Sequence, residues 1–192
     1  DEVQPGFART GQAFFGFARH GIVPDMITMG KPMGNGIPIS GLAAKEDVLA
    51  AFSDKLPYFN TFGGNPVSIA AAQAVLKYIK DENLQEHCKK AGAALLKALK
   101  EVQERHPESV GDVRGAGLFL GFEFVKNDGN KTPDKDMALN VIEMLRDEHI
   151  LTSVIGHYGN ILKLRPPMVF SENDIDWFAT SLDKCITKLE NK

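Results

Sequence analysis

The sequence predicts an α/β stretch that passes into an α+β lobe, and three observations predict it. Short apolar runs set between Gly- and Pro-bearing turns fill residues 1 to about 75. Two long helical stretches come next, the first opened by Asn65-Pro66 and the second running to His106, just before Pro107. Beyond residue 110, apolar residues alternate around glycines in the manner of antiparallel strands, and segments of helical period lie between them. The expected organisation is therefore 1–75, the end of an α/β domain, and 76–192, a connecting helix with a compact α+β domain.

Element by element, "GFARTGQAFFGFARHGIVPD" (6–25) lacks a clean period and reads as a loop with a short helix. "MITMG" (26–30) reads as a brief buried strand, and "ISGLAA" (39–44) as a second short run ahead of a helix in "KEDVLAAF". "FNTFGGNP" (59–66) is a turn cluster from which Asn65 caps the helix "VSIAAAQAVLKYIKD". "LQEHCKKAGAALLKALKEVQERH" is a long amphipathic helix. "GDVRGAGLFLGFEFV" (111–125) reads as antiparallel strands, with Gly115 and Gly117 as backbone necessities and Arg114 as a structural arginine. "KDMALNVIEMLRDEH" (135–149) is helical, "ILTSVI" and "NILKLRPPMVF" are strand-like, and a closing helix starts after Ser171 as N-cap.

Composition narrows the function. The chain has 192 residues, 43% hydrophobic and 24% charged, an ordinary soluble make-up with enough length for a real core. Its net charge of −3 argues against nucleic acid as the main partner. No apolar run reaches the roughly eighteen residues that a membrane span needs. Cys88 and Cys185 form no disulfide framework, which points to a reducing, cytoplasmic compartment. His20, His87, His106, His149 and His157 are scattered without ligand spacing, so no metal site is expected.

One lysine stands out. In "TMGKPMGNGIP" (28–38), Lys31 lies between glycine-bearing turns with Pro32 directly after it. A phosphate loop of the Walker type needs Ser or Thr after the lysine, and Asp25 occupies the place of its first glycine. "GFARTG" (6–11) fails as a dinucleotide fingerprint, because Ala8 replaces the middle glycine and no apolar strand precedes it. A surface turn and a Schiff-base lysine both stay open. The position of Lys31 just after an apolar run, where α/β proteins carry ligands, and the tight backbone around it favour the second reading without deciding it.

Five ordered motifs carry a resemblance. "DEVQPGFARTG", "PDMITMGKPMGNGIP", "YFNTFGGNPVSIAAAQAVL", "VRGAGLFLGFEF" and "LKLRPPMVFSENDID" resemble, in order and spacing, the class III aminotransferases, enzymes of fold type I that use pyridoxal 5'-phosphate (PLP). The resemblance covers essentially the whole chain. It implies the C-terminal part of the large PLP-binding domain followed by the small C-terminal domain, and an enzyme that moves an amino group from an amine or amino acid to a keto acid. Lys31 matches the Schiff-base lysine and catalytic base, a role that burial beside cationic groups favours. Asp1 matches the partner of the pyridinium nitrogen, where a buried carboxylate keeps that nitrogen protonated. Gln4 matches a residue near the ring's phenolic oxygen. Thr61 matches a threonine that binds the cofactor phosphate across a subunit interface, which implies a homodimer with shared active sites. Glu2 and Val3 receive no role.

Two departures from the family pattern matter. Many members carry an arginine three residues before the "PP" pair to clamp a substrate carboxylate; here that residue is Lys163, and Arg165 precedes Pro166. The Lys163/Arg165 pair is the expected substrate contact. It resembles a subgroup that includes phospho-lyases of phosphorylated amino alcohols, which eliminate phosphate. Second, the match to Asp1 lies more than halfway along a family member. The chain is expected to be a C-terminal fragment that alone binds PLP poorly and has little or no activity. The remaining alternative is a non-catalytic module that keeps the fold for association.

Overall fold

In the computed structural model, which describes residues 1–191, Met26–Met29 (β1) pairs antiparallel with Gly41–Ala44 (β2) in register from Met26–Ala44 to Met29–Gly41. The expected strand forms, but it is not buried: its side chains alternate between exposed and half-buried. A ribbon of two strands cannot bury its own faces, and no further strand pairs with it among the described residues. Between the strands, Lys31–Gly34 forms a single 3-10 turn. Glu46–Ser53 (α1) and Pro66–Asp81 (α2) complete this part.

The start of α2 is where its sequence placed it. The Asn65 side chain accepts from the Ser68 N–H at 3.0 Å, and Pro66 takes the first helical position, where no N–H is needed. Ser68 in turn donates from its hydroxyl to the Pro38 carbonyl at 3.1 Å, so the first turn of α2 is fastened to the segment that follows Lys31.

Leu84–Arg105 (α3) leads onward to a four-stranded antiparallel sheet. Its strands are Val110–Ala116 (β3), Phe119–Phe124 (β4), Val154–Ile155 (β5) and Ile161–Leu164 (β6), in the order β3-β4-β6-β5. The β3–β4 hairpin requires glycine at 115, whose φ is +139 and where a Cβ would lie 2.2 Å from the Phe119 carbonyl oxygen. Arg114 bridges Asp112 and Glu123 at 2.7 and 2.6 Å across this hairpin, and those two hydrogen bonds raise its pKa above the ordinary arginine value. Lys135–Asp147 (α4) starts at an Asp134 cap. Glu172–Glu190 (α5) starts at a capping box between Ser171 and Asp174.

β5 is shorter than the "ILTSVI" run suggested. Residues 148–150 are spent closing α4: the Ile150 N–H returns to the Leu145 carbonyl at 2.8 Å, and His149 adopts a left-handed φ of +63. Pairing can therefore begin only beyond them. One face of the sheet carries Leu120, Phe122, Phe124, Leu162 and Leu164 into a core shared with α3, α4 and α5. At the end of α3, the buried His106 ring meets Glu190 at 2.7 Å and Asp183 at 3.1 Å, both on α5. The chain thus divides into two compact units, Asp1–Glu86 and the residues from His87 onward.

Candidate functional site

The first unit gathers three of the singled-out residues around the end of β1. The Glu2 N–H donates to the Thr28 carbonyl at 2.9 Å, which lays the segment Asp1–Gln4 along that strand. Val3 reaches the glycine before the lysine: the place a Cβ would take at Gly30 is 3.9 Å from Val3 Cγ2. Lys31 then opens the 3-10 turn with a φ of +42. A residue with a side chain adopts this left-handed backbone at a cost of roughly 1–2 kcal/mol. Such strain persists where neighbouring structure enforces it, and Pro32 with the Met33 N–H to Gly30 carbonyl bond (3.1 Å) does so here.

The exposure of these residues differs from the expectation. Lys31 and Asp1 are exposed, and the Asp1 carboxylate accepts a local bond from the Val3 N–H at 2.8 Å. Burial of Lys31 and Asp1 is therefore not a property of this unit by itself. The buried carboxylate belongs instead to Glu2, to which the sequence reading gave no role. Oε2 of Glu2 accepts from the Gly16 N–H at 2.7 Å and Oε1 from the Phe17 N–H at 2.9 Å. Its one sequence signal was an acidic residue close to a stretch otherwise dominated by Gly and Phe. Gln4 is half-buried, and its Oε1 is buried without a hydrogen-bond partner. Thr61 stands exposed in the turn before α2, where the Asn60 side chain accepts from the Phe62 and Gly63 N–H groups.

In the second unit Lys163 and Arg165 come together. Leu162 and Leu164 enter the core, so Lys163 and Arg165 alternate onto the other side. The Lys163 N–H donates to the Ser153 carbonyl at 2.8 Å, and Thr152 donates from its hydroxyl to the Lys163 carbonyl at 3.3 Å. The Arg165 guanidinium lies 5.6 Å from the centroid of the Phe119 ring. Partial burial lowers its pKa below the ordinary arginine value, yet a guanidinium keeps its charge. Both line a cavity of about 560 Å³ together with Thr152, Ser153, Asp174 and Trp177, a set that sequence periodicity does not single out.

The residues of the first unit fit the cofactor that the resemblance implies. The segment bonded to β1 carries a carboxylate and an amide with an unpartnered buried oxygen, and the turn after β1 carries a primary amine, which is the donor and acceptor set a phenol-bearing pyridine aldehyde requires. Asp1, Gln4 and Lys31 would hold its ring, and Thr61 offers a hydroxyl for its phosphate. Among the described residues no group of His, Cys, Asp and Glu could hold a metal ion.

Comparison with known proteins gives the same direction. The family model described as aminotransferase class-III matches residues 1–186. The chain is 44% identical over 190 residues to ethanolamine-phosphate phospho-lyase homolog 1 of Caenorhabditis elegans, covering 97% of this chain and 40% of that protein. It is 40% identical over 189 residues to the mitochondrial alanine–glyoxylate aminotransferase 2 homolog 2 of Arabidopsis thaliana, covering 98% and 39%. Among solved structures, a phospholyase from Arthrobacter in complex with phosphoethanolamine superposes with a TM-score of 0.93 at 39% identity, over 97% of this chain and 44% of that one. An aminotransferase of Bacillus anthracis gives 0.89 at 37% identity, over 98% and 44%. The chain thus spans about two fifths of the length of the curated relatives it matches. It belongs to the class III aminotransferase family, whose cofactor is pyridoxal 5'-phosphate.

Proposed function

We propose that this chain supplies the lysine-bearing part of a PLP-dependent aminotransferase that moves an amino group from an amine or amino acid to a keto acid. The supporting observation is the seam along β1, where the Glu2–Thr28 bond and the approach of Val3 to Gly30 run the segment bearing Asp1 and Gln4 beside the strand that leads to Lys31. Bound PLP supplies an electron sink for the bonds around the substrate's amine-bearing carbon. Lys31 holds the cofactor through its amine and moves the proton at that carbon. Asp1 holds the proton on the ring nitrogen, Gln4 orients the ring through its amide, and Thr61 binds the phosphate. We take residues 1–75 as the end of the large PLP-binding domain and 76–192 as the connecting helix with the small domain.

The assembly proposed is a homodimer with shared active sites. It is supported by the aromatic side chains around Thr61: Tyr58, Phe59 and Phe62 are 75%, 85% and 82% exposed, more than a surface turn ordinarily leaves in water. The compartment proposed is the cytoplasm, which suits Cys88 and Cys185, both buried and neither in a disulfide. No helix among the described residues is long and apolar enough to cross a membrane. These residues alone are expected to bind PLP poorly, since Lys31 and Asp1 are uncovered.

Lys163 and Arg165 favour a second reading, elimination of phosphate from a phosphorylated amino alcohol. Two adjacent cations suit a doubly charged phosphate, and Lys163 lacks the planar fork that grips a carboxylate. The phospholyase relatives in worm and Arthrobacter support it.

The experiment is PLP addition to the full-length gene product, borohydride reduction and mass spectrometry. A pyridoxyl tag on Lys31 is expected, and a tag elsewhere or none would sink the reading in favour of a non-catalytic module. Phosphate release from phosphoethanolamine without a keto acid would then decide for the lyase; strict dependence on a keto acid would decide for transfer.

A further inference from the structure

Glu2 is 3% exposed, and its two carboxylate oxygens accept from the backbone N–H groups of Gly16 and Phe17 at 2.7 and 2.9 Å. Its own N–H donates to the Thr28 carbonyl at 2.9 Å, and its carbonyl accepts from the Gly6 N–H at 3.2 Å. One residue therefore joins three segments: the Asp1–Gln4 segment, the loop that runs to Phe17, and β1 leading to Lys31. A buried carboxylate is costly to desolvate unless its lone pairs are engaged, and here donors meet both oxygens.

The loop it closes is itself strained. Phe7 and Ala8, both buried, hold left-handed φ values of +60 and +68, and the Ala8 N–H donates to the Phe14 carbonyl at 2.9 Å. The fit is also close, since a Cβ at Gly6 would lie 2.6 Å from the Glu2 carbonyl oxygen. An ordinary connecting loop needs none of this. The observations instead describe a bracket on which the flanking residues Asp1 and Gln4 are mounted.

We propose that Glu2 is the positioning residue for the cofactor's ring: its anchored carboxylate fixes Asp1 and Gln4 against β1, and so relative to Lys31. This rests on the reading of Lys31 as the PLP-binding lysine. Glutamine cannot replace Glu2, because it offers one acceptor oxygen and sets an NH2 group against the second N–H donor.

The test compares the wild-type full-length protein with Glu2→Gln. The variant is expected to bind PLP about tenfold more weakly, the effect of one lost charge-assisted hydrogen bond. The pH at which the bound cofactor's absorbance changes is expected to move, and the thermal midpoint of the cofactor-free protein to fall by only a few degrees. A variant whose PLP affinity and absorbance profile match the wild type, with only its thermal midpoint lowered, would overturn the proposal and leave Glu2 a purely structural residue. Should Glu2→Gln not fold, Glu2→Asp carries the same test. It keeps the charge but withdraws it by one methylene, so weaker PLP binding supports the proposal and unchanged binding overturns it. Borohydride labelling of the wild type separates the two failures. A missing tag on Lys31 overturns the parent reading and this proposal with it, whereas a tag on Lys31 beside an unaltered variant overturns this proposal alone.

Discussion

In the second unit Leu95, Leu99, Phe122, Phe124, Leu162 and Leu182 meet in one continuous core, whereas in the first the buried apolar residues are only Phe7, Ala8, Ile79 and Leu84. The first unit leaves Val23, Tyr58, Phe59, Phe62 and Val67 largely in water. What it has instead is side-chain-to-backbone hydrogen bonding: the Glu2 bracket, the Asn60 turn and the Asn65 cap. The two halves are thus stabilised by different physics. A core gains from area removed from water, while such bonds gain only the difference between a protein partner and a water partner. The residues matched to cofactor chemistry lie in the unit that relies on the second kind. Apolar surface that a unit cannot bury itself is where another surface can meet it.

The sharpest way to break this contrast is a pair of truncations at phenylalanine. Phe122→Ala, in the core, is expected to cost about 3–5 kcal/mol, and Phe62→Ala, exposed in the first unit, at most about 0.5 kcal/mol in protein diluted enough to dissociate the proposed dimer, both read by urea unfolding. Equal costs would erase the contrast and mean that Phe62 is covered in solution. A smaller effect sharpens it. Asn65→Ala removes the bond to the Ser68 N–H and is expected to cost about 1 kcal/mol, visible as faster amide exchange in the first turn of α2. No change there would mean that α2 is held by packing after all.

Acid gives the smallest effect and acts on the second unit. The Ser171 hydroxyl and N–H, donating to Asp174 at 2.7 and 2.8 Å, hold its carboxyl below the ordinary carboxylate value. A folded pKa below the unfolded one means that the contribution to stability is complete above about pH 3.9 and is lost as pH falls through the lower folded value. The stability difference between wild type and Asp174→Asn is therefore expected at neutral pH and to vanish in strong acid. A difference that persists there would place the effect elsewhere in the cap.

Much of the fold was legible because its signals are local. Asn65-Pro66 announced α2, Ser171 announced α5, and alternation across 111–125 announced the hairpin, since caps and pleats depend on neighbours a few residues away. The full length of β5 was not legible, in part because Ile150, which looks strand-like, is taken up by the bond that closes α4. The same division holds at the site. Lys31, Asp1 and Gln4 are matched by motif, and motif alone says nothing of their exposure or surroundings.

By itself, then, the sequence determined the family pattern, the helix starts and the residue types available for cofactor chemistry. Only the tertiary structure decided that the buried carboxylate is Glu2 and not Asp1, and that Lys163 and Arg165 share one cavity with Trp177. The physical reason is distance along the chain. Glu2 is buried by amides fourteen and fifteen residues away, and the cavity is closed by a helix that follows the strand, and no local pattern encodes either meeting.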